Sequence, residues 1–216
     1  MRVYFRIPVY AEHVRIDYGL IMDEKLQKQL AFALEIDKEK DVLRQTHTTS
    51  KKQENDAEHA WHMAIMVWLL REYANEPFDV GKAMLMSLLH DVVEIDAGDT
   101  YAYDTVAMQT QAQRERMASE RIFGILPDEQ KKECIALFQE FEEGVTPEAK
   151  FARAIDNVQP LILNDYNNGG DWRKHKVTKS KICKRNERTK IGSKRLWEHV
   201  TALIQKNVEK GNIIDE

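Results

Sequence analysis

His90 and Asp91 stand side by side at the end of an apolar segment, with Glu94 one helical turn further on and Asp96 and Asp99 either side of Gly98. From Ala83 to Gln113 there is no Lys or Arg, so these acids have no basic neighbour in sequence. Carboxylates at the end of a buried helix must be protonated, paired with a cation from elsewhere in the chain, or held on a metal ion. The adjoining imidazole tilts the choice toward metal, because imidazole with carboxylate is a common ligand set for divalent cations.

Two further stretches supply donors. Asn55 to Glu58 reads as a helix start, a capping residue followed three positions later by an acid. The helix it opens carries His59, His62, Met66, Leu69 and Tyr73 on one stripe and is apolar almost all round from Ala60 to Leu70, which places it at the centre of a bundle. Pro77 ends it. Asp79 caps the next helix, which is expected to contain His90 and Asp91 and to project them about 100° apart. Thr146-Pro147-Glu148 opens a third, with Phe151, Ile155, Val158 and Ile162 as its apolar stripe and Asp156 beside it. Pro160 inside that helix deprives the Asp156 carbonyl of a donor and predicts a bend. A lone buried His is ordinarily a hydrogen-bonded core residue. Four potential N and O ligands on three helices, in a region without cationic side chains, change that reading. His62, one turn along the same face, is the nearest competitor of His59, and His47 reads as a solvated loop residue.

The order His59, His90-Asp91, Asp156 resembles the signature of HD-domain metal-dependent phosphohydrolases. The longer strings Glu54-Asn55-Asp56-Ala57-Glu58-His59 and Leu89-His90-Asp91-Val92-Val93-Glu94-Ile95-Asp96-Ala97-Gly98-Asp99 are similar to the 5′-deoxynucleotidases and their eukaryotic HD-domain relatives. The resemblance runs from about Glu24 to Asn164. It implies an all-α HD-domain bundle with a metal site in its core, and one divalent ion on His59, His90, Asp91 and Asp156. It also implies Glu94 as general acid/base, Arg44 on the substrate phosphate, Asp99 on the deoxyribose near its 3′-hydroxyl, and a homodimer. Gln45 stands where the bacterial enzymes place a Trp, which bears on deoxyribose selection. The chemistry is physically apt, because phosphate-monoester hydrolysis is very slow uncatalysed and an open metal site offsets phosphoryl charge near neutral pH. Two imidazoles and two carboxylates suit Mn, Fe, Co, Ni or Zn, with Mg a further candidate.

The elements that must position these groups are helical. With 216 residues, 43% hydrophobic, and only nine Gly and five Pro, the chain suits one mostly α-helical domain. Residues 1–21 read as an N-terminal extension, 22–170 as the HD domain, and 171–216 as a basic segment and last helix packing on it. Met22 to about Arg44 reads as the first core helix, with Leu26, Leu30, Ala33 and Leu34 on its stripe, and Thr46 to Gln53 as a loop. Between Arg173 and Arg195 lie eleven Lys or Arg and one Glu. Without aromatics interleaved, this run reads as a solvated, mobile surface, and nucleic-acid binding through it is the weaker alternative. Two cysteines and no long apolar run indicate a cytoplasmic protein with no membrane partner. The function expected is removal of the 5′-phosphate from (deoxy)nucleoside monophosphates. Its rivals are HD hydrolysis of a nucleoside triphosphate or cyclic nucleotide, and non-catalytic nucleotide or nucleic-acid binding.

Overall fold

The computed structural model describes residues 23–100 and 108–216. The stretch 1–21 read as an N-terminal extension lies outside them, as do residues 101–107. The fold is an all-α bundle with one small hairpin. Asp23 caps α1 (Glu24–Glu35), accepting from the Lys25 N–H. A 3-10 turn (Ile36–Asp41) leads into β1 (Leu43–His47), antiparallel to β2 (Gln53–Asn55). Then follow α2 (Asp56–Leu69), α3 (Val80–Leu89), the short α4 (Glu94–Ala97), α5 (Met108–Phe123), α6 (Asp128–Glu143), α7 (Pro147–Tyr166), α8 (Gly170–Lys174), α9 (Lys179–Asn186), α10 (Thr189–Gly192) and α11 (Lys194–Glu209).

The element at the centre is α7. Eleven of its residues are buried, from Ala149 through Asn164, and it touches α2, α3, α6, α9, α10, α11 and β1. The expectation that α2 is central is corrected: Trp61, Ile65, Trp68, Leu69 and Tyr73 are exposed. Only the α2 face bearing His59, Met63, Met66 and Val67 turns inward. Likewise α1 buries none of its residues, and Leu26, Leu30 and Leu34 are exposed, so it is not a core helix. Period alone identifies an apolar face without saying what covers it. The backbone leaves the helix well before Arg44, so Arg44 and Gln45 sit on a strand.

The main core joins Met63, Met86, Phe151, Ile155 and Leu161 to Ile182, Leu203, Ile204 and Ile213 from the C-terminal part. A second cluster, with Val92, Val93, Ile122, Phe123 and Phe138, packs α5 and α6 under α4. Removing a buried aromatic such as Phe151 costs about 3–5 kcal/mol. The basic run is docked rather than mobile. Ile182 and Thr189 are fully buried, and the Asn75 side chain donates to the carbonyls of Lys190 and Ile191. A Cβ on Gly192 would lie 2.1 Å from the Lys150 carbonyl oxygen, so only glycine allows α10 this close to α7. α7 is helical without a break through Pro160. Among the described residues no helix is long and apolar enough to cross a membrane.

Candidate metal centre and active-site cleft

Helix caps set the donors in place. Asn55 makes a reciprocal capping box with Glu58, which fixes the first turn of α2 and aims His59 inward. Asp79 caps α3 by accepting from the Lys82 N–H. α3 ends at Leu89, one residue before the expected pair, so His90 and Asp91 occupy the turn between α3 and α4. That break supplies the freedom to bring both side chains to one point. Asp156 comes from the middle of α7.

The four side chains converge. His59 Nε2 lies 3.2 Å from Asp156 Oδ1 and 3.9 Å from Asp91 Oδ2. His90 Nε2 lies 3.0 Å from Asp91 Oδ1 and 4.0 Å from Asp156 Oδ1. Two ligands each about 2.1 Å from a common ion stand roughly 3.0–3.4 Å apart, depending on the angle between them. Two of the four contacts fall in that range and the others are close to it.

The tautomers support the same assignment. His59 Nδ1 faces Gln159 Oε1 at 3.0 Å, and that oxygen can only accept. The Gln159 orientation is fixed by its amide, which donates to Glu54 Oε1 at 2.6 Å and to His62 Nδ1 at 3.1 Å. His59 therefore carries its proton on Nδ1. Burial first, then the nearby Arg44 charge, holds the His59 pKa low, so the ring is neutral. Its Nε2 lone pair points at a carboxylate oxygen with no proton between them. His90 Nδ1 donates to the Ser87 carbonyl at 2.8 Å, and its Nε2 is buried without a hydrogen-bond partner. The bare His59 Nε2 and the His90 Nε2 both face carboxylates, and two imidazoles with two carboxylates fit a divalent cation, which would displace the His90 proton.

Around this cluster the charges are arranged in a second ring. Arg44 Nη1 donates to Asp91 Oδ2 at 2.8 Å and Asp56 Oδ1 at 3.1 Å, so the cation that the α3–α4 acids lack in sequence comes from β1. Burial would raise the Asp91 carboxyl, but His90 and Arg44 hold it well below the usual carboxylate range. Asp156 is likewise held low against its burial, by the nearby charges of Arg185 and His90. Glu94 behaves oppositely. Burial and the charges of Asp91, Asp56 and Asp99 push its carboxyl up to about 12, so it carries a proton, within reach of Asp56. Gly98, at φ 73°, turns the chain so that half-buried Asp99 lines the cleft.

Sequence reasoning missed Asp56, Glu54 and Gln159, all buried polar residues. Asp56 and Glu54 flank the Asn55 cap, which was the available signal; nothing marked Gln159. His62 reaches Gln159 rather than the cluster. His47 is not a solvated loop residue: its Nδ1 and backbone N–H bind Asp171, tying β1 to α8. Asp96 pairs with Arg121, away from the four donors. Arg44, Gln45, His90, Asp91, Glu94, Asp99 and Asp156 all line one cavity of about 830 Å³.

A helical bundle with this His and Asp arrangement is the hallmark of one class of fold, and the HD domain family profile matches residues 36–197. The chain belongs to the HD domain family. It is 46% identical to a solved predicted metal-dependent phosphohydrolase from Magnetospirillum magnetotacticum, with a TM-score of 0.84, over 88% of this chain and 96% of that one. It is 29% identical over 112 residues to 5′-deoxynucleotidase HDDC2 of Xenopus laevis, covering 52% of this chain and 54% of that protein. It is also 29% identical over 119 residues to 5′-deoxynucleotidase hdd1 of Schizosaccharomyces pombe, covering 51% and 57%. The chain spans about half the length of these two relatives.

Proposed function

We propose that the protein is a metal-dependent phosphohydrolase that removes the 5′-phosphate from (deoxy)nucleoside monophosphates, with His59, His90, Asp91 and Asp156 as the ligands of one divalent ion. The observation that carries this reading is the convergence of the His59 and His90 Nε2 atoms on the carboxylates of Asp91 and Asp156 beside a cleft. The HD family membership and the names of the relatives agree with it. A divalent cation there supplies Lewis acidity toward water and offsets phosphoryl charge.

The chain's own groups do the rest. Glu94 holds a proton in the cleft at neutral pH, so it serves as general acid toward the leaving oxygen rather than as one of the four proposed ligands. Arg44 orients Asp91 and presents its guanidinium to the phosphate at the cavity wall. Asp99 accepts from the sugar hydroxyl, and Gln45 lies beside Arg44 where the resemblance expects an aromatic.

The reading extends to a homodimer. Trp61, Ile65, Trp68 and Leu69 of α2, with Leu85 and Leu88 of α3, form an exposed apolar face of the kind that a second copy covers.

The test is phosphate release from a panel of ribo- and deoxynucleotides with Mn²⁺, Co²⁺ or Mg²⁺ added in turn, comparing the parent protein with Glu94→Ala. Metal-dependent release from 5′-monophosphates, lost in Glu94→Ala, supports the assignment. Absence of release with every metal contradicts it.

A further inference from the structure

The wall of the cleft facing the metal cluster is built from the basic run. Lys181, Lys184, Arg185 and Arg188 line the same cavity as His90, Asp91 and Asp156. Their spacing of three, one and three residues puts them on one side of a helical segment. The backbone stays helical past Asn186, with Glu187 and Arg188 both in the right-handed region, so the row runs about 10 Å from Lys181 to Arg188. Its position is fixed from behind by buried Ile182 and Thr189 and by the close approach of Gly192 to α7.

These cations are largely unneutralised. Among the described residues, Lys181, Lys184 and Arg188 have no acidic oxygen within 4.0 Å. Arg185 has one, Asp156 Oδ2 at 3.8 Å, which belongs to the metal cluster. The chain as a whole carries a formal charge of -4. A row of fixed cations on one wall of a concave site focuses field on an anion inside it. A row about 10 Å long is more than the contacts of one phosphoryl group at the metal cluster span, so part of it is left for a second anionic group.

We infer that the cleft takes a nucleotide bearing a second phosphate group, held by Lys181, Lys184 and Arg188 while the first lies at the metal cluster. This rests on the metal-dependent phosphohydrolase reading above and extends its substrate beyond the monophosphate. Two chemistries share the feature: a 5′-diphosphate, whose second phosphate adjoins the first, and a 3′,5′-bisphosphate, whose second lies across the sugar.

Calorimetric binding on the Mn²⁺-loaded Glu94→Gln form distinguishes them, using deoxyadenosine 5′-monophosphate, 5′-diphosphate and 3′,5′-bisphosphate. One of the doubly phosphorylated ligands is expected to bind about 10–100-fold tighter than the monophosphate, the gain typical of charge-assisted hydrogen bonds. A Lys181→Ala/Lys184→Ala/Arg188→Ala variant should abolish that gain while weakening the monophosphate less than about threefold. Arg185 is left intact in it because it touches Asp156, and an unchanged melting temperature reports an intact fold. The inference is overturned if neither doubly phosphorylated ligand binds tighter than the monophosphate. It is also overturned if the triple variant weakens all three ligands equally, or none. Failure of the parent to hydrolyse any nucleotide would count against the proposed activity alone, since the binding ratios are read without turnover.

Discussion

His59 Nε2 lies 3.2 Å from Asp156 Oδ1, although 97 residues separate them in the chain. The contact joins α2 to α7, and with the His59 proton held on Nδ1 it sets a lone pair against a carboxylate. Asp156→Asn keeps the shape and removes the charge. It is expected to lower metal content below about a tenth of the parent's and to cut phosphate release at least 100-fold. Elemental analysis after gel filtration, beside a kinetic assay, checks both.

Gln159 lies one step behind His59, a proposed ligand. Its carbonyl takes the His59 Nδ1 proton, while its amide binds Glu54 and His62. Gln159→Leu should let the imidazole change tautomer and weaken metal binding about 10–100-fold, the usual effect of losing such a partner. Competition with a chromogenic chelator measures it. Unaltered affinity would remove Gln159 from the site.

Metal binding should depend on pH through His90. Burial disfavours its charge, but Asp91 and Asp156 push its pKa up to about 9, so the metal-free ring is cationic at neutral pH. A ligand imidazole must be neutral, so the incoming ion displaces one proton. Affinity therefore rises with pH, by about tenfold per unit below pH 9, and levels off above it. Proton release during metal titration in buffers of differing ionisation enthalpy gives the stoichiometry, and a flat affinity between pH 6 and 8 would refute the assignment.

Trp61 is 64% exposed and Trp68 51% exposed on the same side of α2. If a second copy covers this face, Trp61→Glu with Ile65→Glu shifts the protein from dimer to monomer in sedimentation velocity, with little effect on the melting of the monomer fold. A parent that sediments as a monomer contradicts the homodimer.

What the sequence disclosed follows from how local each signal is. Asn55, Asp79 and Thr146 mark helix starts through hydrogen bonds made within a few residues, and each sits at the end it was expected to mark. The convergence of His59, His90, Asp91 and Asp156 was legible because three separately patterned segments each offered a polar group at an apolar face. Gln159 and Asp56 were not legible, since their burial is decided by packing among α2, α7 and β1. The α1 stripe of Leu26, Leu30 and Leu34 misled for a related reason: its period is right for a helix but carries no information on what lies opposite. The basic run misled by composition, because its charge concealed the buried Ile182 and Thr189 that dock it beside the cleft.

The most direct test of the metal centre is anomalous diffraction from crystals grown with Mn²⁺. The account predicts a single strong peak about 2.0–2.3 Å from His59 Nε2, His90 Nε2 and one oxygen each of Asp91 and Asp156. Crystals saturated with the ion but lacking a peak between those four groups would contradict it.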